Sequence, residues 1–112
     1  MIFWGEVFEK EPHVIAIRGD LAREGEGSYE ELLSAVARES GDFTLDIDCY
    51  GGDAIGLIAA ARQIAATGRA HAHVSGVCAS AAYILAAACE DITAVEDAQI
   101  GSIGVMTYAP EP

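Results

Sequence analysis

The residue types that could do chemistry gather in two short stretches. Ser80 stands where a strand-like run ends and the helix-forming run Ala81-Ala82-Tyr83-Ile84-Leu85-Ala86-Ala87-Ala88 begins. A serine at the first turn of a helix lies among free backbone N–H groups and the positive end of the helix dipole. Such a place stabilises developing negative charge, which suits a nucleophile, and the N–H of Ala81 could serve as one donor of an oxyanion hole. Serine is also a preferred helix cap, and on this stretch alone capping is the stronger reading. The second stretch is Gly51-Gly52, at a junction between a strand-like and a helix-like run. Paired glycines let backbone N–H groups approach a ligand closely. The pair lacks the lysine and spacing of a P-loop and the three-glycine pattern of a dinucleotide site, so by itself it reads as a turn.

Other titratable residues are weaker candidates. His71 and His73 share a strand face before Ser80, and a histidine can act as a general base. Their strand runs up to the turn rather than bending back over it, which makes ordinary strand residues the default. Asp46 and Asp48 also share a face and could suggest acid–base or metal chemistry. The plainer expectation is that Asp48 braces the loop after it and that Asp46 is solvated or satisfied by backbone donors. Cys49, Cys78 and Cys89 show no metal-ligand spacing and lie in apolar or small-residue contexts, as buried free thiols of a reducing compartment do. Trp4 and Met106 carry no chemical signal distinct from packing. No metal or cofactor is implied.

The elements that must position Ser80 and the glycine pair follow from periodicity. Residues 1 to 12 mix Ile2, Phe3, Trp4, Val7 and Phe8 with Glu6, Glu9, Lys10 and Glu11, as an edge strand or an arm seeking a partner surface would. Val14-Ile15-Ala16-Ile17 predicts a short buried strand closed by a turn at Arg18-Gly19-Asp20. Ser28 and Glu31 form a capping box that opens a helix over 28 to about 39, with Leu32, Leu33, Val36 and Ala37 on one face. Phe43 to Asp48 alternates like a strand, Ala54 to Ala65 is spaced like a helix with Gly68 past its end, and Ala70 to Val74 and Asp91 to Val95 are further strands. Strand and helix alternate three times, which predicts one α/β domain over 1–112 with repeated β-α units, right-handed crossovers and a mostly parallel sheet. In such a sheet the ligand site lies at the carboxyl ends of the strands. The glycine pair and the Ser80 turn both leave strands at that edge, so they can converge, and the catalytic reading of Ser80 gains.

Composition narrows the partners. The 112 residues hold 52% hydrophobic and 21% charged residues, enough apolar surface for a packed core. Eighteen acidic against six basic residues give a net charge of −12, which would repel a polyphosphate backbone, so nucleic acid is excluded as a partner. No apolar run reaches membrane-spanning length, and charges occupy the N-terminus where a signal peptide needs an apolar region. A cytoplasmic protein is expected.

In its strand ending Asp46-Ile47-Asp48, the pair Gly51-Gly52, the turn Ala79-Ser80-Ala81-Ala82-Tyr83 and the loop Gly101-Ser102-Ile103-Gly104-Val105, the sequence resembles the signal-peptide-peptidase-like serine proteases. These include phage prohead (capsid maturation) proteases, within the Clp-protease and crotonase superfold. The resemblance runs from about Val14 to Met106. It implies Ser80 as nucleophile, an oxyanion hole lined by Gly51, Gly52 and Ala81, and a lysine base. The implied reaction is peptide-bond hydrolysis through an acyl-enzyme, on extended peptide or protein substrates, in a bacterial or phage-encoded protein that forms homo-oligomers. Two departures stand out. Cys49-Tyr50 replaces the Ser/Thr-Pro that precedes the glycine pair in relatives. The lysine of short relatives follows the Gly101 to Val105 loop, whereas the only lysine here is Lys10, at no such position. A peptidase fragment, a subunit completed by a neighbour, and a non-catalytic assembly protein of the same fold are therefore all readings to test. So is a crotonase-like acyl-CoA enzyme, because Val74-Ser75-Gly76 before an alanine-rich helix also resembles the oxyanion turn of that group.

Overall fold

The computed structural model describes residues 4–101. Along the chain come β1 (Glu6–Glu11), β2 (Val14–Leu21), α1 (Tyr29–Ala37), β3 (Phe43–Gly52), α2 (Leu57–Thr67), β4 (Ala70–Cys78), α3 (Ala81–Ala87), β5 (Ile92–Ala94) and β6 (Gln99–Ile100). They form a six-stranded sheet in the order β1-β2-β3-β4-β5, with β6 paired to the far end of β4. Only β1 is antiparallel to its neighbour. The mixed α/β fold with a mostly parallel sheet is the one expected.

Because β2, β3, β4 and β5 are sequential neighbours, crossovers of one hand place α1, α2 and α3 on one face of the sheet. That face carries the apolar half of each strand. Ile15 and Ile17 of β2, Phe43, Leu45 and Ile47 of β3, and Val74 of β4 are buried against Leu32 of α1, Ile64 of α2 and Leu85 of α3. The helix starts behave as their sequences dictate. The Ser28 hydroxyl accepts from the Glu31 N–H at 3.1 Å, while Glu31 reaches back to the Gly27 N–H at 2.7 Å, so the capping box closes one residue further out than its usual form. Helix α2 starts at Leu57 rather than Ala54. The Asp53 carboxylate accepts from the Ile55 N–H at 2.8 Å, which turns residues 53–55 into an Asx-type turn, and Gly56 takes φ 92° before the helix.

The strands run further than their apolar cores. No turn forms at Arg18-Gly19-Asp20; β2 continues through these residues to Leu21. The polar residues belong to the face away from the helices, where Arg18 donates to the Asp46 carbonyl at 2.8 Å. Likewise Gly51 and Gly52 are the last residues of β3, not a turn.

Asp46 also differs from expectation. Its carboxylate is 4% exposed and is held by side chains: Lys10 Nζ at 2.8 Å, Ser75 Oγ at 2.5 Å and the Arg18 guanidinium at 3.5 Å. Burial alone would raise its pKa, but the Lys10 and Ser75 hydrogen bonds, with the Arg18 and Lys10 charges, hold it below the ordinary 3.8. This cluster ties β1 to β2, β3 and β4 on the face that no helix covers. Because Lys10 is half exposed, we expect Asp46→Ala to cost about 2–4 kcal/mol, below the usual loss for a broken buried pair. A carboxylate with a depressed native pKa stabilises above its unfolded pKa and loses that contribution as pH falls through the native one. In chemical denaturation, therefore, wild type and Asp46→Ala should differ fully at pH 6 and converge below pH ~4. An equal gap at both pH values would contradict this account.

Several large apolar side chains stay exposed, among them Trp4, Phe8, Ile92, Val95 and Ile100. The described residues include no helix long and apolar enough to cross a membrane. Ile2, Phe3, the loop from Ser102 to Val105 and Met106 lie outside the described residues.

Candidate active site

The carboxyl edge of the sheet brings together the ends of β2, β3 and β4. Parallel register sets Asp20 beside Gly51 and Leu21 beside Gly52. Next to them, β4 ends at Cys78 and the chain turns at Ala79-Ser80 into α3.

That turn has an unusual backbone. The Ala82 N–H bonds to the Ala79 carbonyl at 3.0 Å, and Ser80 between them takes φ 55°, ψ −119°. These angles are those of the first central residue of a type II′ turn, a place normally given to glycine because a side chain there is strained. Ser80 has the geometry of a residue preceding a helix, yet its hydroxyl makes no capping hydrogen bond, and the residue is exposed. The capping role that leads on sequence alone is therefore not the one Ser80 plays. A strained, exposed serine on a sharp strand-to-helix turn is the arrangement by which α/β hydrolases present a nucleophile. Among the described residues, the Ala81 N–H makes no hydrogen bond, while those of Ala82 and Tyr83 are turned back onto Ala79 and Ser80.

The two glycines have different surroundings. A Cβ placed on Gly51 would lie 3.6 Å from Ser80 Cβ and 3.9 Å from its Oγ, so the glycine and the hydroxyl are direct neighbours. A Cβ on Gly52 would instead meet Tyr29 Oη at 2.5 Å and the Leu21 carbonyl at 3.0 Å. The side-chain side of Gly52 therefore closes against the α1 start, and only that of Gly51 opens toward Ser80.

A second feature holds the edge in place. Between Ile47 and Cys49 the β3–β4 register slips, so that Ser75, Gly76 and Val77 bulge opposite Asp48. The Asp48 carboxylate crosses the bulge to accept from the Val77 N–H at 2.9 Å, and it fills the space a Gly76 side chain would need. Asp48 thus braces β4 three residues before Ser80, rather than the loop after β3.

No described lysine or histidine accompanies Ser80. Lys10 is engaged by Asp46, five residues back along β3 from Gly51, which is about 15 Å of strand. His71 lies between Asp91 and Asp42 at 3.1 and 3.3 Å, and His73 Nδ1 pairs with Thr93 at 2.8 Å. Both stand toward the start of β4, on the order of 20 Å of strand from the turn, so neither serves Ser80 as a base. Hydrogen bonds donated by the His71 ring to the Asp91 and Asp42 carboxylates raise its pKa above 6.5, as an ion-paired surface residue's should be. The nearby groups of other kinds are also silent. Burial, aided by the Asp20 charge among others, pushes the Cys49 thiol up to about 12. Burial does the same for Tyr29, which reaches about 12 while its hydroxyl donates to the Asp53 carbonyl at 2.7 Å. No described group of histidine, cysteine and carboxylate residues could hold a metal.

Sequence reasoning missed Asp20. Its Oδ1 would lie 3.8 Å from the same Gly51 Cβ that sits 3.9 Å from Ser80 Oγ, so it faces the serine across one glycine. Reading Arg18-Gly19-Asp20 as a turn hid this. Had β2 been taken to run on to Leu21, the carboxyl-edge rule would have placed Asp20 at the site.

No family model matches the sequence, and no curated protein does. Among solved structures, the chain is similar to a crystal structure of an enoyl-CoA hydratase/isomerase family member, with a TM-score of 0.67 and 22% identity. The alignment covers 91% of this chain and 51% of that one, so the chain spans about half the length of that protein. At this identity the likeness concerns the fold. The chain has the crotonase-like α/β fold, a superfold shared by proteases and acyl-CoA enzymes.

Proposed function

We propose that Ser80 is the nucleophile of a serine-peptidase-like hydrolase, of the signal-peptide-peptidase kind that the sequence resembles. The observation that carries this reading is the Ser80 backbone: φ 55°, ψ −119°, exposed, with no capping bond. A purely structural serine has no reason to hold a strained glycine conformation, which costs about 1–3 kcal/mol. In the proposed reaction, Ser80 Oγ attacks a peptide carbonyl carbon as its proton passes to a base, and the oxygen becomes an oxyanion. The N–H groups of Ala81 and of the Gly51-Gly52 pair stabilise that charge. Collapse expels the amine, which takes up the proton, and water releases the acyl group from Ser80. The family that the sequence resembles uses a lysine base, but the one lysine of this sequence, Lys10, is engaged by Asp46, so a base from a neighbouring subunit or a further stretch of chain completes the reaction. Asp48 and Gly76 are positioning residues for this site.

The likeness to an enoyl-CoA hydratase/isomerase family member favours a second reading, an acyl-CoA enzyme in which the same backbone donors polarise a thioester carbonyl. One experiment separates the two. The chain is treated with an alkyl fluorophosphonate, its intact mass is measured, and any adduct is mapped to a peptide. One adduct on Ser80 supports the peptidase reading. Absence of an adduct, together with saturable binding of an acyl-CoA, would replace it with the second. Neither adduct nor binding would leave a catalytically incomplete fragment or a non-catalytic assembly subunit of this fold.

A further inference from the structure

Four carboxylates lie along β2 and β3 and just after them, and they differ in what they already hold. Asp48 accepts from the Val77 N–H, and Asp46 is saturated by Lys10, Ser75 and Arg18. Asp53 accepts from the Ile55 N–H and faces Arg23 Nε at 3.5 Å. The Asp20 carboxylate has no hydrogen-bond or ion-pair partner among the described residues. It is also the one aimed at Ser80. In parallel register, Asp20 and Gly51 point to the same face of the sheet, the face without helices. Since Gly51 has no side chain, nothing of β3 stands between the Asp20 carboxylate and the Ser80 hydroxyl; each lies within 4 Å of the point a Gly51 Cβ would occupy.

We infer that Asp20 is a specificity-determining residue, whose carboxylate forms one wall of a subsite beside Ser80 for a cationic group of the substrate, an ammonium or guanidinium close to the reacting carbonyl. The inference rests on the reading of Ser80 as nucleophile. A substrate seated on Ser80 must pass over Gly51, and whatever it carries toward β2 meets an unneutralised negative charge at the end of a polar sheet face. An apolar group there would leave the carboxylate partly stripped of water without a partner, whereas a cation replaces that water. The net charge of −12 adds a long-range field that concentrates cations at the surface. Asp20 is not assigned the proton from Ser80; its part is to select what Ser80 attacks.

The test uses the whole chain and two fluorophosphonates alike in length, one ending in a trimethylammonium and the other in the isosteric neutral tert-butyl group. The readout is the ratio of the rates at which they modify Ser80. A unit charge roughly 7 Å from the cation in a partly hydrated site gives the cationic reagent an advantage of about three- to tenfold at low salt, shrinking as salt is added. In Asp20→Asn, which is isosteric and removes no hydrogen bond, the ratio should fall to near one. In Asp20→Lys it should invert. An unchanged ratio in Asp20→Asn overturns the inference, as does an equal slowing of both reagents, which would mean that Asp20 acts on the serine and not on the substrate. A ratio of one in the wild type overturns the inference while leaving the nucleophile intact. If neither reagent modifies Ser80 in the wild type, the nucleophile reading itself falls and takes this one with it.

Discussion

Ser80→Gly should yield a protein that is no less stable than the wild type and wholly unreactive toward a fluorophosphonate. The position is the first central residue of a type II′ turn, where φ is positive and glycine is unstrained. Relief of strain is worth about 1–3 kcal/mol, set against the ~0.5–1 kcal/mol of extra chain entropy that glycine loses on folding. The net expectation is a gain of up to about 1–2 kcal/mol, or a Tm rise of several degrees in a domain of this size. Ser80→Ala keeps the strain and, with no capping bond to lose, should melt within about 1 kcal/mol of wild type. Both variants should lose the adduct entirely. A stabilising change that abolishes chemistry is the signature of a residue retained for function against stability. If Ser80→Gly melted well below the wild type, the serine would be structural, and the proposed nucleophile would have to be abandoned.

Much of this arrangement was legible in the residues before the fold was known. Strand and helix alternation gave the parallel sheet, because each apolar run has the period of its element: two in Phe43 to Asp48, near 3.6 in Leu32 to Val36. The capping box at Ser28 marked the start of α1 to the residue. What periodicity could not deliver were the polar strand ends. Arg18-Gly19-Asp20 and Tyr50-Gly51-Gly52 look like turns because they are polar or glycine-rich, yet they are ladder residues, and Arg18, Asp20 and Gly51 point to the face that no helix covers, where alternation loses its apolar half. Nor does a sequence show which partners a polar side chain will find. Asp46 meets Lys10 from 36 residues away and Ser75 from 29. Asp48 reaches a bulge in β4 that no local signal at Ser75-Gly76-Val77 announces. Ser80 is the opposite case: its neighbours in sequence implied a cap, and only its backbone angles and missing cap bond speak against that role.

The glycine pair supplies the sharpest contrast between holding the fold and serving the chemistry, since adjacent residues should fail in opposite ways. In Gly52→Val the new Cβ falls 2.5 Å from Tyr29 Oη and 3.0 Å from the Leu21 carbonyl. Tyr29 cannot swing aside: it is 3% exposed, and its hydroxyl is fixed to the Asp53 carbonyl. Overpacking at about 1–3 kcal/mol and a stranded buried hydroxyl at a further ~1–3 kcal/mol should together remove about 3–5 kcal/mol of stability. That is enough to lower Tm by roughly 15 °C or more in a chain of this length. In Gly51→Val the Cβ makes ordinary contacts of 3.6 to 3.9 Å, but Gly51 holds φ 159°, which side chains rarely adopt, so strain should cost about 1–3 kcal/mol, still less than the clash at Gly52. Its methyl groups, however, enter the space between Asp20 and Ser80 that a substrate carbonyl would need. Blocking an oxyanion site costs about 10²–10³ in rate, so Ser80 labelling should slow at least a hundredfold in a folded protein. Melting curves and labelling rates for the two variants therefore decide together. If Gly51→Val kept the wild-type labelling rate, the reacting carbonyl would not lie over Gly51, and the subsite assigned to Asp20 would lose its approach to the substrate. If Gly52→Val melted with the wild type, the packing of Tyr29 beneath the end of β3 would be looser than the structure describes.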